Sequence, residues 1–571
     1  MSSYDEAAIR RVALPPGVSR GLFSSAIKAL VAAVGASNVE LVDPNNLPRE
    51  KGYLDPPKTH DSYPLVPLDE LIPSAVVRPG NTEEVSAIVK VANKYQVPIW
   101  PLSMGRNFGY GGAAPRVRGS IMVDLGARMD KVLEFNEKQA YCRVQPGVTY
   151  QMLYDYLQAR GSTHWVDVPD LGGGSVLGNA VDRGGGYTPY GDHFGTHAGF
   201  EIVLPTGNVV RTGMGSLPNK NTTNGSAQNW NTYAYGFGPY HDGIFTQSNF
   251  GIVTSMGVQL MPDPGGYQFY QLAFERDEDM HTVIEKIRPL RNGGIIPAII
   301  TLRPALMDLA TRHPRSHYSS SGGPLTLKEI DEGRKGTTYG RWSMYGSVYG
   351  PKEKTDKAIE VIKKTFLEIP GAKIFFPKDI PKEDDYNVIH IREETLRGVP
   401  SMWEYNWTNF VPNGAAAFVS PMTPNTGADA MKSFEISKKR FAEYGFDFFG
   451  TMIVLPKGVS FLSIAVYDRE NEEQRKKAFA LMRTIVAENA AAGYGTYRAH
   501  VALMDDIAGS YKWGEDRFGG SVMALNEQLK DALDPNGILA PGKSGIWPRK
   551  YRTGEIKYNS SVPVPHPAAK I

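Results

Sequence analysis

Two patterns of apolar and polar positions follow each other along the chain. Between residues 74 and about 265, short apolar stretches typical of strands alternate with amphipathic stretches typical of helices. The clearest helices cover residues 82–96, with Thr82 as the predicted N-cap, and residues 150–161, where Gly161 ends the pattern. From about residue 266, longer amphipathic helices alternate with strands rich in aromatic residues. The pattern predicts an α+β protein with one domain over residues 1–265, a second over 266–494, and a loop-rich segment over 495–571.

Composition narrows the class of protein. A chain of 571 residues is long enough for more than one domain, and 41% hydrophobic with 21% charged residues is typical of a globular protein. The 62 Lys and Arg residues nearly balance the 60 Asp and Glu residues. Without a strong basic field, neither nucleic acid nor an anionic membrane surface is expected as the main partner.

Cysteine usage and the two ends of the chain bear on its location. A single cysteine, Cys142, excludes an internal disulfide framework, and acidic Asp5 and Glu6 stand where a secretory signal would be positive. No apolar stretch approaches the length of a membrane span, so we expect an intracellular protein. The terminal Ala569-Lys570-Ile571 is similar to the Ser-Lys-Leu peroxisomal signal, which leaves a peroxisomal or a cytoplasmic location.

Three familiar motifs are disfavoured by their surroundings. Residues 537–544 (GILAPGKS) match a phosphate-binding P-loop, but a turn precedes them and Pro548 prevents a long helix after them. No Gly-x-Gly-x-x-Gly follows a predicted strand, as a nicotinamide site would require. His193 and His197 are spaced like a metal pair, yet glycines surround them and no third ligand follows, so no metal is expected.

Two glycine-rich stretches are better candidates for a binding site. Glycines without a Cβ allow backbone amides to approach a pyrophosphate closely, although both stretches could also be tight turns between strands. The first stretch offers Ser103, Gly105, Arg106, Asn107 and Gly109, and the second offers Pro169, Gly174, Ser175, Asn179, Gly184 and Gly186.

Four segments in this order resemble the vanillyl-alcohol oxidase and 4-cresol dehydrogenase flavoprotein family, and vanillyl-alcohol oxidase itself most of all. They are residues 105–115 (GRNFGYGGAAP), 167–179 (DVPDLGGGSVLGN), 186–193 (GYTPYGDH) and 539–548 (LAPGKSGIWP). The resemblance runs from about residue 25 to 550. It implies a PCMH-type FAD-binding domain of two α+β subdomains over residues 1–265 and an α+β cap domain over 266–494, whose antiparallel sheet covers the flavin. Residues 495–571 would return to the FAD-binding domain, and Tyr187, Ile252 and Lys543 would join the residues that bind FAD.

The resemblance also implies an activity. The family oxidises para-substituted phenols, such as 4-alkylphenols and 4-hydroxybenzyl alcohols, by hydride transfer to flavin N5 through a quinone methide. Oxygen is the expected electron acceptor, and at least a homodimer is expected. Such chemistry needs a pocket that lowers the phenol pKa from its usual value of about 10 and stabilises the resulting oxyanion.

Matching positions supply candidates for the catalytic residues and the substrate pocket. Tyr110, Tyr497 and Arg498 would bind the phenolate, and Asp170 would act as a general acid and base, held ionised by Arg498. The pocket would be formed by Gly185, Trp407, Ala416, Phe418 and Thr451. Trp407 and Phe418 could equally belong to the core of the cap domain.

Departures from the family pattern concern the attachment of FAD. In residues 412–416 (PNGAA), Ala416 stands where many members carry the histidine that binds FAD covalently. Tyr63 and the pair Ser460-Phe461 replace three further histidines. The sequence therefore predicts dissociable FAD, with a tyrosyl linkage still open among 29 tyrosines. Two further alternatives are a flavoenzyme of the same fold that acts on a bulkier alcohol, and a flavin-binding protein without catalytic activity.

Overall fold

A computed structural model describes residues 6–48, 52–381 and 388–555. The C-terminal Ala-Lys-Ile sequence lies outside the described residues. The described residues form helices and three sheets, and we number the strands and α-helices in chain order. In the described ranges, no helix combines the length and the apolar content that a membrane crossing needs.

The first two sheets belong to the N-terminal half of the chain. The four-stranded sheet has the order β1-β2-β4-β3, where β2, β4 and β3 are parallel and β1 is antiparallel. Its strands are β1 Val39–Leu41, β2 Ala75–Val77, β3 Ile99–Leu102 and β4 Ile121–Asp124. The second sheet is antiparallel with the order β5-β6-β9-β7-β8. It contains β5 Val132–Asn136, β6 Tyr141–Val144, β7 His197–Val203, β8 Val209–Arg211 and β9 Ile252–Gln259. Five helices accompany them: α1 Glu6–Arg11, α2 Arg20–Val34, α3 Thr82–Tyr95, α4 Tyr150–Gln158 and α5 Val176–Val181.

The third sheet, which we call the cap sheet, has eight antiparallel strands in the order β13-β10-β12-β11-β15-β16-β14-β17. They are β10 Tyr267–Phe274, β11 Ile300–Pro304, β12 Trp342–Tyr349, β13 Lys373–Phe375, β14 Gly414–Pro424, β15 Phe449–Val454, β16 Gly458–Asp468 and β17 Thr496–Ala499. The helices of this region are α6 Asp279–Asn292, α7 Ala305–Leu309, α8 Arg315–Tyr318, α9 Leu327–Gly333, α10 Lys352–Phe366, α11 Val388–Thr395, α12 Gly427–Tyr444 and α13 Glu472–Ala491. Four more follow: α14 Met504–Ala508, α15 Glu515–Phe518, α16 Val522–Leu533 and α17 Arg549–Arg552.

The cap sheet is covered on both faces, as its sequence pattern requires. Helices α6, α10 and α12 pack on one face around a core that includes Trp342 and Phe366. Strand β12 is buried at every position, which is typical of a sheet with both faces covered. The other face of the sheet, which carries Phe418 and Thr451, forms a wall of the cavity described below. The cap sheet therefore lies between a helical layer and the candidate site.

Two details differ from the sequence analysis. The N-cap of α3 is Asn81, whose side chain accepts a hydrogen bond from the backbone N–H of Glu84. Thr82 already lies inside the helix, and its hydroxyl donates to Glu201 at 2.9 Å instead. In addition, β17 pairs with β14, so the segment after residue 494 first completes the cap sheet and leaves it only after Ala499.

Candidate active site

One large cavity lies between the glycine-rich loops and the cap sheet. Its volume is about 910 Å³, in the upper part of the range that ligand pockets occupy. Residues of both glycine-rich stretches line it, together with residues 245–253, the inner face of the cap sheet and Lys543. The segments that the sequence analysis selected separately thus meet around a single space.

Arg106 connects the two glycine-rich loops. It donates one hydrogen bond to the carbonyl of Gly173, at 2.7 Å, and another to the carbonyl of Leu54. Gly105 has a φ of +65°, in the left-handed region that glycine adopts without strain. Arg106 therefore hydrogen-bonds to backbone carbonyls and fixes the first glycine-rich loop, whose backbone faces the cavity.

A buried carboxylate and imidazole fix the second loop. The Asp167 carboxylate accepts the backbone N–H of Thr188 at 2.7 Å and lies 2.6 Å from His193 Nε2. A Cβ on Gly186 would fall 1.6 Å from that carboxylate, so only glycine fits there. His193 Nδ1 lies 2.6 Å from the Asn179 side-chain oxygen, which also fixes Asn179.

The histidine pair considered as a metal site is thus divided between two partners. His197 Nε2 lies 2.9 Å from the Asp242 carboxylate, away from the contacts of His193. Over the described ranges, no group of three or more His, Cys, Asp or Glu side chains is arranged to hold a metal ion. The geometry gives both histidines a role in packing the loop.

One end of the cavity carries a cation between two tyrosines. Arg498 donates to the Tyr110 hydroxyl at 3.0 Å, and its guanidinium carbon lies 4.3 Å from the centre of the Tyr110 ring and 6.0 Å from that of Tyr497. The backbone N–H of Val501 donates to the carbonyl of Tyr110 at 3.0 Å and holds the tyrosine in place. Arg498 Nε is buried and has no protein partner within the part of the chain that is described. We call this group the oxyanion end.

Asp170 lies in a different environment from the one expected. Its partner is Arg392, whose Nη1 lies 2.9 Å from the Asp170 carboxylate, so the expectation that Arg498 holds Asp170 ionised is wrong. Arg498 is occupied by Tyr110 instead. Asp170 lines the cavity, and 42% of its side chain is accessible.

Behind Asp170 runs a buried chain of charged side chains, which we call the carboxyl cluster. Arg392 Nε lies 2.9 Å from Glu404, Arg303 Nη1 lies 2.8 Å from the same carboxyl group, and Arg303 Nε lies 2.9 Å from Asp308. The Tyr345 hydroxyl donates to Asp308 at 2.7 Å and ends the chain. Apart from Asp170, the charged members are at most 3% exposed.

The cluster holds three carboxyl groups and two guanidinium groups, so one proton makes it neutral. Burial raises the pKa of Glu404 and the charge of Asp170 raises it further, against the opposing effect of Arg392 and Arg303. Burial also opposes ionisation of Asp170, but Arg392 and a hydrogen bond from Glu404 outweigh it and hold the pKa of Asp170 below its usual value. These directions place the negative charge on Asp170 and the proton behind it, on Glu404 or on Asp308, whose pKa burial also raises against the opposing charge of Arg303. The hydrogen bond from Glu404 to Asp170 favours Glu404.

Nearly all of the residues proposed from the sequence line the cavity. The ones that do are Ser103, Gly105, Arg106, Asn107, Tyr110, Pro169, Asp170, Gly174, Ser175, Asn179, Gly184, Gly185, Gly186, Tyr187, Ile252, Trp407, Phe418, Thr451, Tyr497, Arg498 and Lys543. Gly109 and Ala416 do not line it. The Gly109 carbonyl accepts the N–H of Phe418 at 3.3 Å, so the first loop packs directly on β14 and buries Ala416 beneath it.

Arg392, Glu404 and Arg303 were not selected from the sequence. Arg392 shares the buried side of α11 with Val388 and Ile389, and an arginine on such a face is a signal that sequence reasoning could have used. Glu404 follows Trp403 in a 3₁₀ helix, Trp403–Phe410, whose many aromatic residues are typical of a packed core. Neither position indicates its partner, because the partners are far apart in the sequence. Asp170 and Arg392, for example, are separated by 222 residues.

The cavity residues fit an elongated dinucleotide cofactor. Backbone of both glycine-rich loops faces the cavity, and Lys543 supplies a cation whose Nζ lies 3.3 Å from Asp182. The hydroxyl of Ser248, on the cavity wall, is buried without a protein partner in the described structure, as is Arg498 Nε. Orphaned buried donors of this kind are satisfied by a bound ligand or by water.

Comparisons with known proteins agree with this site. Residues 73–213 match the FAD binding domain family, and residues 347–544 match the C-terminal domain of FAD linked oxidases. The chain is 33% identical over 538 residues to the 4-cresol dehydrogenase [hydroxylating] flavoprotein subunit of Pseudomonas putida, covering 93% of this chain and 97% of that protein. Among solved structures, 4-ethylphenol oxidase from Gulosibacter chungangensis superposes with a TM-score of 0.88 at 37% identity, covering 94% of this chain and 99% of that one. Substrate-bound p-cresol methylhydroxylase superposes with a TM-score of 0.86 at 33% identity, with the same coverage.

The sequence match spans nearly the full length of both proteins, and both structural matches cover 94% of this chain. The fold is of the PCMH type, and the cofactor is FAD. The chain therefore belongs to the vanillyl-alcohol oxidase and 4-cresol dehydrogenase family of FAD-dependent oxidoreductases.

Proposed function

We propose that this protein oxidises para-substituted phenols, with 4-alkylphenols and 4-hydroxybenzyl alcohols as substrates. The observation that carries the proposal is the oxyanion end, where a buried guanidinium lies between two tyrosine side chains and faces the cavity. The relatives named above support the same substrate class, since their names refer to 4-cresol, p-cresol and 4-ethylphenol.

The first task of the site is to bind the phenol as phenolate. Arg498 supplies a permanent positive charge, and the hydroxyls of Tyr110 and Tyr497 can donate hydrogen bonds to the same oxygen. Burial raises the pKa of Tyr497, so this hydroxyl remains protonated as a donor. In a site shielded from water, these groups lower the pKa of the bound phenol well below its usual value of about 10.

The chemistry that bound FAD supplies is the acceptance of a hydride from the α-carbon of the para side chain. Loss of that hydride converts the phenolate into a neutral quinone methide, so the negative charge leaves the substrate together with the electron pair. The glycine-rich loops and Lys543 would hold the cofactor against the cap sheet. Trp407 and Phe418, which line the cavity with rings 6.0 Å apart, would orient the phenol ring.

Asp170 completes the reaction as the general base. When water adds to the α-carbon of the quinone methide, the new C–O bond forms, the phenolate is restored, and the proton of the water passes to Asp170. With a 4-hydroxybenzyl alcohol, Asp170 instead takes the hydroxyl proton as the aldehyde forms. Arg392 keeps Asp170 ionised for both roles, at a contact of 2.9 Å.

Three further features belong to the proposal. FAD is held without a covalent bond, because the methyl group of Ala416 has no atom that could form one. Oxygen reoxidises the cofactor, and the chain acts as a homodimer or a larger homo-oligomer. The location is the peroxisome or the cytoplasm.

The test is a panel of phenols with product analysis and oxygen uptake. We expect turnover of 4-methylphenol, 4-ethylphenol and 4-hydroxybenzyl alcohol, and none of phenol, which lacks an α-carbon. Oxygen consumed in equal amount to product would support oxygen as the acceptor. Turnover of simple primary alcohols in preference to every phenol would contradict the proposal.

A further inference from the structure

The register of the cap sheet orders the cavity wall from the oxyanion end outward. Phe418 on β14 pairs with Ile464, and its neighbour Val419 pairs with Ala499, the residue after Arg498. Four residues further along β14, Met422 pairs with Ser460. Because Pro421 pairs with Thr496, the neighbour of Tyr497, Met422 lies just past the oxyanion end, about 10 Å along β14 from the pair of Val419 and Ala499.

The neighbouring strand follows the same order. Thr451 pairs with Leu462 beside the carboxyl cluster, and Ile453 pairs with Ser460 further out. Beyond Ile453, the cavity is lined by Leu455, Pro297 and Ile299, and so becomes apolar. A para side chain that begins near Asp170 therefore has an apolar corridor in front of it.

Two of the residues that line the cavity, Gly185 and Ser460, are small. Gly185 lines the cavity without a side chain of its own, and a Cβ built on it would lie 3.0 Å from the carbonyl oxygen of Gly191, a tight contact. Both positions favour a substrate with a longer para side chain.

A cation with no carboxylate partner among the described residues lies near the Met422 end of this corridor, where Arg288 of α6 donates to the carbonyl of Asn425. Arg291, in the last turn of α6, lines the same cavity, and its Nε and Nη1 atoms are buried without a hydrogen-bond partner in the described ranges of the chain. Burial lowers the pKa of Arg291 to about 10, opposed only by nearby Tyr270. Asp192, an acid that also lines the cavity, accepts the N–H of Gly195 at 2.8 Å in its own turn.

A buried guanidinium with unmet donors is costly unless something polar completes it. Arg498, another cavity-lining arginine with an orphaned nitrogen, contacts Tyr110. Arg291 belongs to α6 and Arg498 to β17, so the two guanidinium groups come from separate elements of the cavity wall. A planar guanidinium matches a carboxylate in a bidentate contact, and the corridor before it matches an alkyl chain.

We propose that Arg291 binds a terminal carboxylate on the para side chain, so that the preferred substrates are 4-hydroxyphenyl compounds with an alkyl chain that ends in a carboxylate. This inference rests on the proposed function, because it assigns the para side chain to the corridor. It makes Arg291 a residue that determines substrate specificity and leaves the bond-breaking step unchanged.

The test compares an acid with its uncharged amide. We would measure kcat/KM for 4-(4-hydroxyphenyl)butanoate, for its amide and for 4-ethylphenol, with the wild-type holoenzyme and with Arg291→Gln and Arg291→Lys. A charged hydrogen bond lost from a buried site predicts that Arg291→Gln lowers the acid-to-amide ratio by about tenfold to a hundredfold, mainly through KM. Arg291→Lys should restore part of the ratio, and turnover of 4-ethylphenol should stay within about twofold.

A binding measurement separates recognition from turnover. In 3-(4-hydroxyphenoxy)propanoate an oxygen replaces the α-carbon of 4-(4-hydroxyphenyl)butanoate, so no hydride can leave, and calorimetric titration of the holoenzyme reports affinity alone. We expect the same loss of affinity in Arg291→Gln, and no loss in the control Arg288→Gln. Arg288 lies on the same helix, but Glu285 already contacts its guanidinium.

The outcomes distinguish the inference from the proposed function. If 4-ethylphenol is oxidised while Arg291→Gln leaves the acid-to-amide ratio and the affinity for the phenoxy acid unchanged, the inference is wrong and the proposed function stands. If Arg291→Gln weakens FAD binding without changing that ratio, Arg291 serves the cofactor and the inference is also wrong. If no phenol is oxidised by the wild type, the proposed function itself fails.

Discussion

Replacing Glu404 with glutamine tests whether the carboxyl cluster stores a proton. Glu404 is 3% exposed and contacts Arg392 and Arg303 at 2.9 and 2.8 Å. The three carboxyl and two guanidinium groups imply one proton in the cluster, and if it resides on Glu404, then Glu404→Gln replaces one neutral group with another of the same shape. The amide can still donate to Asp170 and accept from the arginines, so we expect a loss of at most about 1 kcal/mol of unfolding free energy near pH 7.

The alternative predicts a much larger effect. If Glu404 were ionised, its removal would leave two buried arginines short of a counter-ion, a loss of about 3–5 kcal/mol. For a chain of 571 residues the unfolding entropy is roughly 1.2 kcal/mol per kelvin, so the two cases differ by about 1 K against about 3–4 K in Tm. Thermal unfolding of the holoenzyme distinguishes them, with Glu353→Gln on the exposed face of α10 as a control for the same chemical change.

The pH dependence has a definite sign. A carboxyl group whose pKa is raised in the folded state favours the neutral form, so the wild type loses stability as pH rises from the ordinary carboxyl value of about 4.3 to the raised value. Glu404→Gln lacks this ionisation. We therefore expect the Tm of the variant to gain on that of the wild type as pH rises through this interval. A Tm difference that stays constant with pH, or a loss of 3–4 K near pH 7, would refute the placement of the proton.

Three further predictions concern the same site. Acid precipitation should release yellow FAD into the supernatant because Ala416 cannot form a bond, and mass spectrometry of a coloured pellet would identify a tyrosyl linkage if one exists. Arg498→Met should slow anaerobic flavin reduction by about two to four orders of magnitude, since a lost buried charge contact is worth about 3–5 kcal/mol. The exposed control Arg517→Met should leave the rate unchanged in stopped-flow absorbance. Arg392→Gln should move the acid limb of the kcat/KM profile to higher pH, because Asp170 loses the group that lowers its pKa. An unmoved acid limb would show that Asp170 is not the base.

The elements of this fold that depend on local sequence pattern could be predicted from the sequence alone. The parallel strands around α3, the aromatic strands of the cap sheet and the glycine-rich loops each carry their signal in a short stretch of residues. Gly105 illustrates the reason, because its left-handed backbone is a local demand that only glycine meets without strain. The motifs of the family also pointed to Tyr110, Asp170 and Arg498, and all three line one cavity.

The ion pairs of the site join segments that are far apart in the sequence, so the sequence pattern could not predict them. Asp170 and Arg392 are 222 residues apart, and no spacing rule connects them. Arg498 was the nearest plausible partner in the motif, yet the pairing of β17 with β14 places it beside Tyr110. The N-cap of α3 shows the same limit on a small scale, because Asn81 and Thr82 both suit the position and only the hydroxyl contact with Glu201 decides between them.

Anaerobic mixing of the purified yellow protein with 4-ethylphenol tests the central claim most directly. Flavin absorbance near 450 nm should bleach in a single turnover, as the hydride leaves a phenol that Arg498, Tyr110 and Tyr497 hold as phenolate, and phenol without a side chain should only perturb the spectrum. The predicted result is bleaching by 4-ethylphenol that is slowed by orders of magnitude in Arg498→Met and unchanged in Arg517→Met. An absorbance that stays unchanged with 4-ethylphenol and with every other para-alkylphenol, in a protein that contains FAD, would contradict the account.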